Sequence, residues 1–504
     1  MSTLANDRHV VGRWISARAS LSPGRVAIEF GEVVITYREL EDRSTSLARA
    51  LAGSGLSPGS RVATLAENHP EQVVLFFACA KAGLILAPLN WRLTTDELAV
   101  QLDLFDPSLL VVSSVQWRRF SESPVIASRM PKHLDTLTAD LEGVADDVRL
   151  PTVCDDDGLL LIATSGTTGR PKGALLTHAN CFWTNLGLDL SMPIDQNDVV
   201  LQVLPQYHVG GWNVQPLLAW WTGATVVLEP TFEPARVLEL IARRRITTMM
   251  GVPTTYLMLA NEPNFEDTDL TSLRTVIVGG AAMPVSLAER WRSRGVAVAQ
   301  GYGLTEASPN VCYLAPDAAA DHPGSVGRPY AYVELALYDV DGSVIEGGGR
   351  GELWVSGPNV FAGYWQNPLA TAAVLHEGWL NTGDIADRDD DGFYWISGRS
   401  KEMFVSGGEN VYPVEVERVL TMFDDVAEAA VVGVSHPKWG EVGVAFVVPC
   451  RGARVDVAVL MAHCRAHLAS FKIPQSVQVV DELPKTHIGK VDKLVLKSRA
   501  RESD

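Results

Sequence analysis

The sequence predicts an α/β protein: a large N-terminal domain of parallel α/β sheets plus a β-rich subdomain, followed by a small mobile α+β C-terminal domain. Three observations carry that expectation. Up to about residue 300, short apolar runs stop at glycine- or hydroxyl-rich loops, with helical segments between them, the pattern of parallel strands covered on both faces. From Tyr332 the texture turns to short strands and tight turns, at Asp341-Gly342, Gly347-Gly348-Gly349 and Asp391-Gly392. After Arg399 it changes again, into a unit of about 100 residues, a normal domain size.

Each element follows from its local pattern. Leu159 to Ala163 is an unbroken apolar run that ends in a Ser/Gly/Thr loop. Thr275 to Val278 ends at Gly279-Gly280, and Val296 to Ala299 ends at Gln300-Gly301. Ser286 to Arg294 has helical character. In such sheets ligands sit beyond the carboxyl ends of the strands, so three polar loops there predict one shared site. Past Arg399, Val414 to Met422 reads as a helix, Val426 to Val434 and Gly443 to Val448 as strands, and Val455 to Ala469 as an amphipathic helix. The expected domains are residues 1–398 and 402–504, joined by a hinge at 399–401.

Composition narrows the function. The chain has 504 residues, 47% of them hydrophobic, and a formal net charge of −18. That acidity excludes a protein that tracks a nucleic-acid backbone. The apolar runs, such as Val73 to Ala80, fall short of the ~20 residues a membrane helix needs. The polar start, Met1 to Val11, shows no secretory h-region. Six cysteines without CxxC spacing read as reduced thiols. A cytoplasmic protein is the expectation.

Thr164-Ser165-Gly166-Thr167-Thr168-Gly169-Arg170-Pro171-Lys172-Gly173 follows a predicted strand and precedes a helix expected to start at Thr177-His178. Its hydroxyls, glycine amides and two cations suit an anion. It is not a Walker A loop, because Lys172 precedes Gly173. Further motifs follow: Pro205-Gln206-Tyr207-His208, Gln300-Gly301-Tyr302-Gly303-Leu304-Thr305-Glu306, Thr382-Gly383-Asp384, Gly398-Arg399, Ser406-Gly407-Gly408-Glu409-Asn410-Val411-Tyr412-Pro413, and Pro484 to Lys493 with Gly489-Lys490. In this order they resemble the adenylate-forming superfamily of acyl-CoA synthetases, peptide-synthetase adenylation domains and luciferases. The resemblance spans essentially the whole chain. It departs at Ala163, where many members carry Tyr.

The resemblance implies an acyl-CoA synthetase that joins a carboxylate to the α-phosphate of ATP and then transfers the acyl group to CoA. Thr164, Ser165, Gly166, Thr167, Thr168, Gly169 and Lys172 would cradle phosphate, with Thr168 and Glu306 holding Mg²⁺. Tyr302 would stack on adenine among Gln300, Gly301 and Gly303. Gly279, Gly280 and Ala281 would line the base and one end of the acyl pocket. Thr305 would bond the α-phosphate, Asp384 the ribose hydroxyls, and Arg399 ribose or phosphate. Lys490 would reach the α-phosphate and the attacking carboxylate. His208, Val209, Gly211, Trp212 and Gly303 complete the acyl pocket; His208 is either a gate or a buried, hydrogen-bonded histidine. Ser406, Gly407, Gly408 and Asn410 would admit pantetheine, and Trp439, Phe471 and Lys472 would meet the CoA nucleotide. Ile473 and Gln475 stand where some relatives have basic residues. Lys401 would be the pivot.

The resemblance places an Asp just after the Pro205-type motif in peptide-synthetase domains, to pair the substrate amine; Tyr207 to Val214 contains no carboxylate, so an amino acid is disfavoured. The apolar stretch at 209–212 and the small residues at 279–281 suit a hydrophobic acid, whether fatty, aryl or alicyclic. The segment from Gly351 to Asp384 shows none of the extra length found in ligases that skip CoA. A carrier-protein phosphopantetheine is the alternative acceptor. A degenerate binding homologue is the non-enzymatic alternative, and Thr168, Glu306, Asp384, Arg399 and Lys490 together argue against it. Asp387, Asp389, Asp391 and Gly392 imitate an EF-hand but lack its closing glutamate, Gly398 standing there. His463 and His467 lack a third zinc ligand in the sequence. Trp220-Trp221 reads as core.

Overall fold

The computed structural model describes residues 7–137, 141, 148–164, 171–399, 401–406, 409–437, 439–486 and 490–502, and the statements below concern those residues. The chain forms two compact units. The first is Met1–Leu335 with Val355–Leu380, and the second is Ala336–Trp354 with Asn381–Asp504.

For the first unit, the strands and helices used below are Gly158–Thr164 (β1), Lys172–Thr177 (β2), His178–Ser191 (α1), Thr275–Val278 (β3), Ala297–Gly303 (β4), Asn310–Leu314 (β5) and Gly363–Tyr364 (β6). For the second they are Trp379–Arg388 (β7), Tyr394–Arg399 (β8), Pro413–Thr421 (α2), Val426–His436 (β9), Gly440–Pro449 (β10), Val457–His467 (α3) and Lys493–Glu502 (α4).

The first unit carries two sheets. One has nine strands. Its centre runs parallel through β4, β3, Thr248–Gly251, Val199–Gln202, Thr225–Leu228 and Val26–Phe30, with antiparallel strands at both edges. The other has seven strands, and in it β1, Ile85–Pro88, Arg61–Leu65, Leu109–Val112 and Lys132–His133 are parallel. Leu159, Leu160, Leu161 and Ile162 of β1 are all fully buried, which explains why that strand reads as continuous apolar sequence rather than alternation. Tyr256 and Phe265 meet Trp291 edge-on, with ring centroids 5.3 and 5.0 Å away, at the centre of one core cluster. Trp291→Ala would empty that centre at a cost of about 3–5 kcal/mol.

One strand is added to the expected elements and another is lengthened. Lys172 to Thr177 is a strand, paired antiparallel with β1 in the register Ala163↔Gly173 and Thr164↔Lys172. The strands on either side of the phosphate-type loop thus pair with each other, and the helix follows the second of them, as expected. The helix starts at His178, where the Thr177 side chain accepts from the Asn180 amide. Secondly, β4 does not stop at Gln300 but continues through Gly301-Tyr302-Gly303, because β5 pairs with it antiparallel.

The predicted β-rich stretch forms a sheet that includes Glu334–Tyr338, Gly349–Ser356, β7 and β8, the last two antiparallel. It is interrupted at 355–380, which folds into the first unit. There β6 pairs with β2, the Trp365 amide donates to the Gly173 carbonyl at 2.7 Å, and the Trp365 side chain packs against the Phe105–Leu161 core. In the second unit β9 and β10 pair along their length, and α2 and α3 cover one face through Val416, Leu420, Leu460 and Cys464.

Candidate active site

The hairpin between β1 and β2 holds the first group of predicted phosphate ligands. Ser165, Gly166, Thr167, Thr168, Gly169 and Arg170 lie outside the described residues. At the base, Thr164 donates its hydroxyl to the Lys172 carbonyl at 3.5 Å. Gly173 is tightly enclosed: a Cβ there would stand 2.9 Å from Leu161 Cδ1 and 3.0 Å from Phe105.

The second group sits beyond the ends of β3 and β4, in the other sheet. Gln300 ties these ends together. Its Oε1 accepts from the Met283 amide at 3.1 Å, and its Nε2 donates to the Val278 and Ala281 carbonyls at 3.2 Å. Its side chain thus shapes the loop at Gly279, Gly280 and Ala281. Gly280 has φ 79°, and Gly279 is buried while Gly280 and Ala281 are exposed. Gly301 and Tyr302 are half-buried on β4. Gly303 admits no side chain, since a Cβ would lie 1.5 Å from the Pro309 carbonyl oxygen. Thr305 and Glu306 follow in a single 3₁₀ turn, Thr305–Ala307.

Tyr364 joins the two groups. From β6 it donates its hydroxyl to Glu306 Oε1 at 2.8 Å, and the Lys172 ammonium lies 4.6 Å from its ring centroid. The backbone fixes the same arrangement, with the Phe361 amide donating to the Glu306 carbonyl at 2.9 Å. Loops from two different sheets therefore converge on one tyrosine. Sequence reasoning missed it: Tyr364 lies 58 residues beyond Glu306, and a lone tyrosine carries no local signal.

The predicted acyl wall is a tight turn. The His208 amide donates to the Pro205 carbonyl at 3.0 Å and the Gly211 amide to the His208 carbonyl at 3.0 Å. A Cβ on Gly211 would come within 2.4 Å of the Pro205 oxygen. His208 is half-buried, its ring 4.5 Å from that of Tyr207, and Val209 is buried. Trp212 is fully buried, stacked on Phe76 at 4.7 Å, and its indole donates to the Gln206 carbonyl at 2.7 Å. Its ring thus supports the turn from the core side. Trp220 is likewise core, donating to the Ala27 carbonyl at 3.1 Å.

In the second unit Asp384 and Arg399 face each other across β7 and β8, with Arg399 Nε 2.7 Å from Asp384 Oδ1. Asp384 is 3% exposed. Lys490 is exposed on a loop closed by the Thr486 amide, which donates to the Lys490 carbonyl at 2.7 Å. Lys401 is exposed in the turn after β8. Ser406 is buried and pairs with Glu409 and Gly440. Gly407 and Gly408 lie outside the described residues, as does the Asn410 side chain. Trp439 is 46% exposed, and Phe471 packs against the Phe404–Leu460 core. The Lys472 ammonium is paired with Glu415, which also takes Arg350 at 2.6 Å. Asp387 is held by Arg350 at 2.6 Å.

Comparison with known proteins decides the family. The model for AMP-binding enzymes matches residues 15–365, and that for the AMP-binding enzyme C-terminal domain matches residues 415–490. The chain belongs to the AMP-binding enzyme family. It is 40% identical over 481 residues to a feruloyl-CoA synthase of Amycolatopsis, covering 95% of this chain and 97% of that one. It is 39% identical over 493 residues to the indoleacetate–CoA ligase of Aromatoleum aromaticum, with 96% of each chain covered. Among solved structures, the o-succinylbenzoate CoA synthetase of Bacillus subtilis in complex with its acyl-adenylate intermediate superposes with a TM-score of 0.86 at 32% identity, covering 97% of this chain and 98% of that one. The same enzyme has been solved with ATP and a magnesium ion.

This AMP-binding enzyme is accordingly an AMP-forming acid–thiol ligase that works with ATP, Mg²⁺ and CoA. Its site fits the metal. Among the described residues no cluster of three or more His, Cys, Asp or Glu side chains is placed to cage an ion. Glu306 offers one hard carboxylate beside a phosphate-type loop. Mg²⁺ is commonly held that way, by one or two carboxylates together with substrate phosphates and water.

Proposed function

We propose that the enzyme activates an aromatic carboxylic acid, and that the site where Lys172 and Glu306 meet on Tyr364 is where acyl-AMP forms. The carrying observation is that convergence: a cation on one loop and a metal-type carboxylate on another, 2.8 Å from a shared tyrosine hydroxyl. Joining a carboxylate to a phosphate requires two anions to be held together while charge builds in the transition state, and fixed charges in a preformed site do this without reorganisation. In this reading Thr168 and Glu306 hold Mg²⁺, Thr305 bonds the α-phosphate, and Tyr302 stacks on the base. Asp384, held by Arg399, accepts from the ribose, and Lys490 neutralises the reacting oxygens. His208, Val209 and the glycines at 279, 280 and 303 enclose the acid. The names of the relatives support an aromatic acid: feruloyl, indoleacetate and 2-succinylbenzoate are all aromatic.

The proposed division is residues 1–398, a hinge at 399–401 with Lys401 as pivot, and residues 402–504, in a cytoplasmic enzyme. The family models leave 366–414 between them, which contains that hinge. Pantetheine passes Ser406 and Asn410, and the CoA nucleotide meets Trp439, Phe471 and Lys472. Because Glu415 occupies Lys472, phosphate recognition there is weak, so a carrier-protein thiol is the second acceptor to test. The experiment is acid-dependent ATP–pyrophosphate exchange over fatty, alicyclic, benzoic, arylacetic and hydroxycinnamic acids, then product analysis with CoA or a phosphopantetheinyl carrier protein. Stronger exchange with fatty acids than with every aromatic acid would overturn the substrate reading.

A further inference from the structure

Lys493 begins α4, three residues past Lys490, and its side chain is half-buried. Its Nζ is 2.7 Å from Glu402 Oε2 and 2.9 Å from Glu417 Oε1. Burial works to lower its pKa, but the two carboxylates outweigh it and hold the lysine above its ordinary value, so it stays charged. Each partner is fixed in turn. Glu417, on α2, accepts from the Val431 amide of β9 at 2.8 Å, which roots it in the core of the second unit. Glu402 directly follows Lys401, in a turn where the Glu402 and Met403 amides donate to the Arg399 carbonyl at 3.0 and 3.2 Å.

The foot of the loop that carries Lys490 adjoins the same lysine in sequence. Asp492 caps α4, accepting from the Leu494 and Val495 amides at 3.1 and 3.2 Å, and its own amide donates to the Pro484 carbonyl at 2.8 Å. An isolated bridge pairs Lys485 with Val491. Lys493 therefore stands between the foot of that loop and the residue after the proposed pivot, 91 positions earlier in the chain. A partly exposed ion triad is weak evidence of stability, since water screens its charges. Its distinctive effect is geometric: it sets the position of the loop foot relative to the turn.

We propose that Lys493 is a positioning residue for Lys490: bound to Glu402 and Glu417, it locks the loop foot, the turn after Lys401 and the core of the second unit into one body. Acyl-AMP formation needs Lys490 in place, and a displacement of about 1 Å at a reacting group can cost on the order of 100-fold. Thioester formation does not use Lys490 in the reading above, on which this inference rests. The lock should therefore affect one half-reaction and spare the other.

The test measures both half-reactions in Lys493→Met, Lys493→Arg and Glu402→Gln, with Lys490→Ala as control and thermal unfolding followed throughout. Lys493→Met should slow pyrophosphate exchange about 10- to 100-fold, with thioester formation from supplied acyl-adenylate within about twofold. Lys493→Arg should recover most of the exchange. Glu402→Gln, altered at a partner whose side chain is 39% exposed, keeps the test open should the methionine variant fold poorly, and should show the same split more weakly. Equal loss of both half-reactions in Lys493→Met and Glu402→Gln, or wild-type exchange in both, overturns the lock. If Lys490→Ala itself loses both half-reactions equally, it is the assignment of Lys490 that fails. A split in the control without one in the two lock variants refutes this inference alone.

Discussion

Tyr364 donates its hydroxyl to Glu306 at 2.8 Å while its ring faces the Lys172 ammonium at 4.6 Å. One side chain thus contacts both the phosphate-type hairpin and the glutamate proposed to hold the metal. Tyr364→Phe keeps the ring and its cation–π contact but removes the hydrogen bond to a charged group. Glu306 then loses its aim, and the Mg²⁺ concentration for half-maximal pyrophosphate exchange should rise about 3- to 10-fold, a loss of ~1 kcal/mol. Glu306→Gln should raise it further, because the metal loses a charged ligand. The thermal shift produced by Mg·ATP should shrink in the same order. An unchanged Mg²⁺ dependence in both variants would remove Glu306 from the metal site.

The parts of this site that were legible in the sequence are those whose causes are local. β1 and β3 announce themselves because strands covered on both faces need continuous apolar runs. Gly303 and Gly211 are required by close backbone approaches, and both fall inside recognisable motifs. The strand at Lys172–Thr177 was not legible. A short apolar run after a loop has no period long enough to separate strand from helix, and its partner β6 lies almost two hundred residues on. Tyr364 with Glu306, and Lys493 with Glu402, are invisible for the same reason: each pair is made by tertiary folding across 58 and 91 positions.

Lys490→Ala tests the proposed division of labour. The lysine is exposed, and its carbonyl accepts from the Thr486 amide. Pyrophosphate exchange should fall by two orders of magnitude or more, roughly the scale of one lost charge-stabilising group. Thioester formation from supplied acyl-adenylate should stay near wild type. Loss of both steps together would make the lysine structural.

His178 supplies a pH dependence of stability. It is fully buried, and its Nδ1 accepts from the Val11 amide at 3.2 Å. Burial pulls its pKa down from 6.5 to about 4, against an opposing pull from Asp155. Between those values the unfolded chain binds a proton that the folded chain does not. Stability from this group is therefore intact above about pH 6.5 and is lost as pH falls toward 4, by up to roughly 3 kcal/mol. His178→Asn, which keeps an acceptor for Val11, should flatten the decline in melting temperature over that window. A variant whose melting temperature falls as steeply as wild type would assign the acid sensitivity to other groups.

The proposed pivot is the last test. In the proposed reading the two half-reactions call on different parts of the second unit: Lys490 for the first, and the strand ends around Ser406 and Asn410 for the second. If one site serves both, the segment after Arg399 must present each part in turn, and a few backbone dihedrals must absorb the change. Lys401 lies in the short turn between β8 and the strand that begins at Phe404, exposed, with its neighbour Glu402 held by Lys493. The proposed pivot at Lys401 thus follows paired strand β8 and precedes the glutamate that Lys493 holds. Proline fixes φ near −65° and removes one N–H, so Lys401→Pro should hold the turn in one state. Pyrophosphate exchange should remain within a few-fold of wild type, while acyl-CoA production drops at least about 100-fold and acyl-AMP accumulates on the enzyme. Lys401→Ala, which frees the dihedrals and removes only the charge, should make acyl-CoA normally. Wild-type acyl-CoA production by the proline variant would move the pivot elsewhere, and equal failure of the alanine variant would make the charge, not the backbone, the cause.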